Sequence, residues 1–540
     1  MLNSVQHIVL HWNKVSAKTT MSRLAVRGLC ALFSIVLYTN MVLAQQVIGG
    51  TLYINGSFIN SKNISVNNHI VNNTAGLVSV LPGTTTSSVL LTGAANVNGH
   101  SIYGGGPISF YRLDMRGGRE TRLKVDVKIT NQLRIGYTGN TFTALDSGFT
   151  IENRTLTIDS VATYLGTANL IFAGGTVIYD NTNAASQTLL SRAAGVRYGT
   201  LNLSGTSTKS ITTTGTDSAA TFTQAGGSGQ ISFAGNFDVT GTGSFADIGA
   251  IIPAKKLRLT ATATSCSVTS LNNSGAGTFE NASAGTLTFT GAAANNGTIS
   301  NTSTGTITFA GNITNTNTIT TATGTLAFNG TGTQTNTGGT ISVTAGGNAS
   351  FAGDIYTYPG TLTFNTGSTV TYNGASQYIV AVAYHHLVTS GTGTKTAGSN
   401  LTIGGNFTNG NNIIMTMGTN TLAITGTRTN GGTMQFAGTN NGQLFSDGTV
   451  EYNGVNSITQ TIAAGNYTNL LLTNGSGSGI ADKLIDNGAT VQTSGGLDIN
   501  VGLRLTLGNS GSTLSVGTSG TGDLTVTGTL VNNGTINIGN

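Results

Sequence analysis

Between Gly285 and Gly353 a unit of about twenty residues repeats with little decoration, and this limits the folds open to the chain more than any other feature. Gly285-Thr-Leu-Thr-Phe289 returns as Gly305-Thr-Ile-Thr-Phe309, as Gly324-Thr-Leu-Ala-Phe328 and, more loosely, as Gly347-Asn-Ala-Ser-Phe351. A shorter phrase follows each of the first three: Thr298-Ile-Ser300, Thr318-Ile-Thr320 and Thr340-Ile-Ser342. Each unit predicts two short strands. Alternation puts Leu287 and Phe289 on one face and Thr286 and Thr288 on the other, the period of a strand with one buried side. A ribbon this short cannot bury its apolar row alone. Stacking unit on unit turns the row into a continuous core, so the expected fold is all-β, a right-handed parallel β-helix with rungs of roughly twenty residues.

Composition agrees with that fold and excludes its rivals. Of 540 residues, 78 are Gly and 4 are Pro, and 8% are charged, against roughly 25% in an ordinary soluble domain. A disordered linker would lack the apolar alternation, and collagen would need Gly at every third position. A β-solenoid uses Gly and Asn at its corners and small β-branched residues on its walls.

Ahead of this body stands a leader. Lys14, Lys18, Arg23 and Arg27 precede an apolar run from Leu29 to Leu37, and Val42-Leu-Ala44 supplies small residues before Gln45. The pattern predicts a signal peptide over 1–44, cleaved after Ala44, hence a secreted or outer-surface product. The long stretch before Met21 makes Met21 the expected start. Cys30 lacks the small residues that precede a lipidated cysteine. The leader carries four of the 23 basic residues and none of the 18 acidic ones, leaving 19 against 18. The near-neutral body argues against a nucleic-acid partner. Beyond the leader no apolar run is long enough to cross a bilayer. Cys266 is then the sole cysteine, expected to be buried as a small hydrophobe.

The remainder divides into irregular N-terminal rungs over 45–174, short-repeat rungs over 175–368 and two long repeats over 369–540. In the first region Arg112, Arg116, Arg119, Arg122, Lys124, Lys128 and Arg134 stand against Asp114, Glu120 and Asp126. Within it Arg122-Leu-Lys-Val-Asp-Val-Lys-Ile129 alternates charged and apolar residues, which predicts one exposed charged face. Its functional reading is a docking patch for an anionic surface such as polysaccharide or lipopolysaccharide. Its structural reading is a solvated strand whose charges pair with neighbours.

From Thr176 a longer motif appears. Thr176-Val-Ile-Tyr179, Gln187, Tyr198-Gly-Thr-Leu201 and Thr208-Lys209 return as Thr369-Val-Thr-Tyr372, Gln377, Tyr384-His-His-Leu387 and Thr394-Lys395. A third copy has Thr449-Val-Glu-Tyr452, Gln460 and Tyr467-Thr-Asn-Leu470, with a Gly-Ser tract where the Lys is expected; Phe110-Tyr-Arg-Leu113 is a candidate fourth. The phrase from Thr369 to Thr396 resembles the large repetitive, adhesin-like surface proteins of the Bacteroidota, and the short units resemble passenger domains of autotransporters. The resemblance implies a Gram-negative, non-catalytic scaffold that attaches to cells, extracellular matrix or glycans. Those families finish with a sorting domain or a membrane barrel. Here the last phrases, through Gly534-Thr-Ile-Asn-Ile538, are ordinary rungs, which makes the chain an expected fragment of a longer protein.

Chemistry needs ionisable groups brought together, and they are sparse. From Leu259 to Thr394 there is no Lys or Arg, and Glu280 and Asp354 are the only carboxylates. The alternative of a polysaccharide lyase or hydrolase rests on Asp114, Glu120 and Asp126 with Arg122. His385 and His386 suggest a metal, but adjacent strand residues point to opposite faces, so no metal or cofactor is expected. A further alternative is ice binding, on the outward pairs Thr298/Ser300, Thr318/Thr320 and Thr340/Ser342.

Overall fold

The structure is a computed structural model. It describes residues 46–539 apart from 49, 61–62, 83–87, 92–99, 116–120, 136–148, 152–153, 160, 165–169, 183–185, 191–194, 214, 345, 357–359, 439–444, 446, 456–458, 476 and 519–522. The leader, the expected cleavage after Ala44, and Arg116, Arg119 and Glu120 lie outside the described residues.

Among the described residues there is no helix, and none long and apolar enough to cross a membrane. The strands stack in parallel as a β-solenoid of about 19 turns with roughly 21-residue spacing. The chain divides into two compact units, residues 1–175 and 176–540.

In the second unit the short repeat forms the most regular ladders. Thr286–Phe289 lies under Thr306–Phe309, with Leu287 opposite Ile307 and Phe289 opposite Phe309. The same register continues through Thr325–Phe328, Asn348–Phe351 and Thr369–Tyr372. The inward row is buried throughout, and Phe289, Phe309, Phe328 and Phe351 stack with ring centroids 5.0 Å apart. Their planes differ by only 7°, 11° and 7°. Each such pair adds roughly 0.5–1.5 kcal/mol beyond the area it buries.

Every rung here has three strands where the phrases predict two. Ala293–Asn295 and Ile313–Asn315 form a short middle ladder between the long ones. Ala293-Ala-Asn295 has no bulky apolar alternation, so the strand has no signature of its own. Its inward Asn does the work of the core instead. Asn273, Asn295, Asn315 and Asn336 are buried one above another, each Nδ2 donating to the next Oδ1 at 3.3, 2.8 and 2.7 Å. The same Nδ2 groups of Asn273, Asn295 and Asn315 also donate to Gly277, Gly297 and Asn317 carbonyls, closing the corners. Buried amides are thereby satisfied from lap to lap.

Laps pass so close at the corners that a side chain is excluded. A Cβ on Gly324 would lie 2.2 Å from Asn301 Nδ2 and 2.3 Å from the Gly305 carbonyl.

The first unit repeats the three-walled plan with less even lap lengths. One ladder runs Gln46–Ile48, Ile64–Val66, Val89–Leu91 and on to Leu113 and Leu133. A second runs Leu52–Ile54, Ile70–Asn72, His100–Gly104, Thr121–Leu123 and Phe149–Ile151. The third runs Phe58–Asn60, Val78–Pro82, then Phe110, Ile129 and Ile158.

Candidate binding faces

The charged run of the first unit keeps its in-out alternation, with Leu123, Val125, Val127 and Ile129 buried and Arg122, Lys124, Asp126 and Lys128 exposed. The single charged face expected from that alternation is not formed. Thr121–Leu123 and Val127–Ile135 are separate strands on different walls, and Lys124 to Asp126 turn the corner between them. Arg122 lies between Ser101 and Thr150 on the second ladder, while Lys128 lies between Ser109 and Thr157 on the third. Arg134 stands opposite Asp114 on the first. A corner that preserves inside and outside leaves no trace in a two-residue period, so the sequence could not reveal it.

These charges have partners. Lys128 Nζ lies 2.8 Å from Asp159 Oδ2, and Arg134 Nε lies 3.6 Å from Asp114 Oδ1. Arg112 Nε donates to Asn131 Oδ1 at 2.8 Å, and its guanidinium carbon sits 5.9 Å from the Tyr111 ring centroid. Asp126 Oδ1 accepts from the Thr155 backbone N–H at 2.8 Å. Asp114 lies on the first ladder and Asp126, twelve residues later, at the corner between the second and third, so the spacing does not bring them together as a carboxylate pair.

In the second unit the outward hydroxyl rows are in register. Thr298, Thr318, Thr340 and Thr361 form one column, and Ser300, Thr320, Ser342 and Thr363 its neighbour. The row therefore spans four rungs rather than the three visible in the repeat. Thr361-Leu-Thr-Phe364 adds the fourth.

His385 and His386 do not diverge as an unbroken strand would require. A bend at His385 separates Ala383–Tyr384 from His386–Thr389, and the two rings meet edge to face with centroids 4.2 Å apart. His386 Nδ1 accepts from the Asn406 N–H at 2.9 Å; desolvation, then its neighbour His385, lowers its pKa. Among the described residues no group of three or more His, Cys, Asp or Glu could hold a metal ion. Cys266 is buried, which pushes its thiol pKa up.

The most specific chemistry lies inside the coil. Lys209, Lys395 and Lys483 are wholly buried, opposite Gln187, Gln377 and Gln460 in parallel register. Lys483 is the third lysine, and the Gly-Ser tract precedes it rather than replacing it. That insertion puts it 16 residues after Tyr467, against 11 from Tyr198 to Lys209 and from Tyr384 to Lys395, so alignment by spacing misses it. Lys395 Nζ donates to the Gly374 carbonyl at 2.6 Å, to Gln377 Oε1 at 3.0 Å, to the Thr392 carbonyl at 3.3 Å and to the Ala375 carbonyl. Lys483 Nζ donates to Gln460 Oε1 at 2.6 Å and the Gly454 carbonyl at 2.9 Å, whereas Lys209 Nζ turns to Ser207 Oγ at 2.6 Å. Burial lowers all three amines to about 8, opposed by Asp180, Asp354 and Glu451 respectively.

In each of the three copies two buried tyrosines meet hydroxyl to hydroxyl: Tyr179 with Tyr198 at 3.4 Å, Tyr372 with Tyr384 at 2.9 Å and Tyr452 with Tyr467 at 3.0 Å. Tyr384 and Tyr467 pass their protons on to the carbonyls of Val380 and Ala463. The Gln, Lys and Tyr residues of the interior thus recur, while the outward residue after each Gln is exposed Thr188, exposed Tyr378 or half-buried Thr461.

No known family, no curated protein and no solved structure matches the chain.

Proposed function

We propose that the chain is an exported, adhesin-like β-helical scaffold that presents its walls to cells, matrix or glycans and carries out no reaction step of its own. The observation that supports this best is the contrast within the three cassettes. Gln, Lys and paired Tyr recur inside, where they define the coil, while the adjoining outward residue is Tyr378 in one copy and threonine, Thr188 and Thr461, in the other two. A recurring frame whose chemistry is turned inward fits attachment better than turnover. Charges on the walls are also engaged across laps, as in Arg258 with Asp238 at 2.6 Å, Lys256 with Glu280 at 3.0 Å and Arg504 with Asp482 at 2.6 Å. An acid or base held that way has little freedom to act on a substrate.

The test is a glycan array and cell-adhesion assay on the secreted chain, run beside product analysis on a panel of acidic polysaccharides. Binding without product is expected. Turnover that disappears in Arg122→Ala or Asp126→Ala would replace this reading with the enzymatic one. The four-rung hydroxyl columns support a second reading, ice binding, which requires thermal hysteresis that is lost when Thr318 and Thr320 become bulky.

A further inference from the structure

Among the described residues of the second unit, Tyr378 carries an exposed aromatic ring at the head of a hydrogen-bonded polar column. The outward residues Tyr378, Thr396, Thr416, Gln435 and Glu451 occupy five successive laps and face one another in parallel register. Tyr378 is 65% exposed, whereas Tyr179, Tyr198, Tyr372, Tyr384, Tyr452 and Tyr467 are all buried. Its strand is firmly held. The backbone N–H of Tyr378 donates to Asp354 Oδ1 at 2.8 Å. The preceding Gln377 is gripped by Lys395 Nζ, the Gly374 N–H and the carbonyls of Phe351 and Gly353. An open ring on a rigid strand is a pre-organised stacking platform.

Below it the column is ordered by its own side chains. Thr416 Oγ1 donates to Gln435 Oε1, Gln435 Nε2 donates to Glu451 Oε2, and Thr473 Oγ1 donates to Glu451 Oε1, each at 2.7 Å. The two hydroxyl protons are thereby committed inward to the chain. What remains outward is mostly acceptor lone pairs, on Thr416, Gln435, Glu451 and Thr473, beside the second N–H of Gln435 Nε2. No Lys or Arg side chain points outward from the strands of this column; the lysine of Thr394–Ala397 points into the core. An acceptor-rich wall with carboxylates at Asp354 and Glu451 and no outward cation suits a ligand rich in hydroxyl donors and repels carboxylates and sulfates.

We propose that the Tyr378–Glu451 column is a track for a neutral linear polysaccharide laid along the coil, one sugar ring stacking on Tyr378 and successive hydroxyls donating to Thr416, Gln435 and Glu451. This rests on the attachment reading and names its ligand class and site.

Titration calorimetry of the full secreted chain with neutral glucan, mannan and galactan oligosaccharides, alongside oligogalacturonate, tests it. At least one neutral oligosaccharide is expected to bind. Tyr378→Ala should weaken it by about tenfold, Tyr378→Phe should retain most of the affinity, and Thr188→Ala should change nothing. The melting temperature of Tyr378→Ala should equal that of the parent, which keeps loss of binding distinct from loss of fold. Exclusive binding of oligogalacturonate, or unaltered affinity in Tyr378→Ala, would overturn the track. Adhesion to cells or matrix with no neutral oligosaccharide bound would also overturn it and leave the attachment reading standing. Failure to bind anything would remove both.

Discussion

Lys483 Nζ lies 2.6 Å from the Oε1 of Gln460, a residue one lap earlier, with both side chains out of contact with solvent. The bond joins neighbouring laps through the interior, and its counterpart recurs between Lys395 and Gln377 at 3.0 Å. A buried amine kept in place by an amide and backbone carbonyls makes the coil locally dependent on a single side chain.

Lys483→Ala should therefore destabilise its laps by about 2–4 kcal/mol, because Gln460 Oε1 and the Gly454 carbonyl lose a donor and a cavity opens. Lys483→Met, which refills the volume, should cost less. Hydrogen exchange is the suitable readout, since a solenoid opens lap by lap. Protection should fall around Gln460–Ile462 and Ala481–Ile485 while the distant Thr306–Phe309 ladder stays protected.

Stability should have a minimum in pH between about 7 and 8. Each lysine has a folded pKa of about 8 against an ordinary 10.5, so between those values the unfolded chain binds more protons and stability rises with pH. Asp217 behaves in the opposite sense. Burial raises its carboxyl to about 7 from 3.8, opposed by the Val196 N–H and Thr213, so stability falls as pH climbs across that interval. The groups facing these sites are Asp180, Asp354 and Glu451 for the lysines, and the Tyr179 and Tyr198 hydroxyls for Asp217. Chemical denaturation midpoints from pH 4 to 10 should trace this dip, and Asp217→Asn should flatten its acidic side alone.

Asn315→Asp should be more harmful than Asn315→Ala. The Nδ2 of Asn315 donates to Asn336 Oδ1 at 2.7 Å, and its Oδ1 accepts from Asn295 at 2.8 Å. Alanine removes these bonds and the donation to the Asn317 carbonyl, at about 1–3 kcal/mol. Aspartate adds a buried charge aimed at another acceptor, so a larger fall in urea midpoint is expected.

Two glycines separate crowding from backbone strain. Gly324→Ala drives a Cβ into Asn301 Nδ2 and two carbonyls and should cost several kcal/mol, with local disorder of the corner. Gly338 has φ of +87° but open space around it, so Gly338→Ala should cost only about 1 kcal/mol. Thermal unfolding of the two variants side by side checks the ranking.

The long ladders were legible because Leu287 and Phe289 alternate with threonines and then recur, which states both the strand and its stacking partner. What stayed hidden lacked one of those two signals. Ala293–Asn295 pairs well but has no apolar contrast, and Lys483 recurs at an altered spacing. The charged run showed its alternation faithfully yet not the corner at Lys124 to Asp126, since turning a corner keeps inside residues inside. Adjacent histidines oppose one another only on an unbroken strand, and the bend at His385 carries no signal in the sequence. The Tyr378 column is hidden for a related reason: its members lie one to a lap and share no motif, only a register.

That register has a genetic corollary. Where residues sit over their counterparts one lap earlier, as Phe289, Phe309 and Phe328 do, duplicating a whole lap lengthens the gene product without rewriting its neighbours. Deleting a single codon within such a strand transposes its greasy and watery sides instead. Growth and loss in whole laps would therefore let a chain of this design change its exterior vocabulary while keeping one grammar.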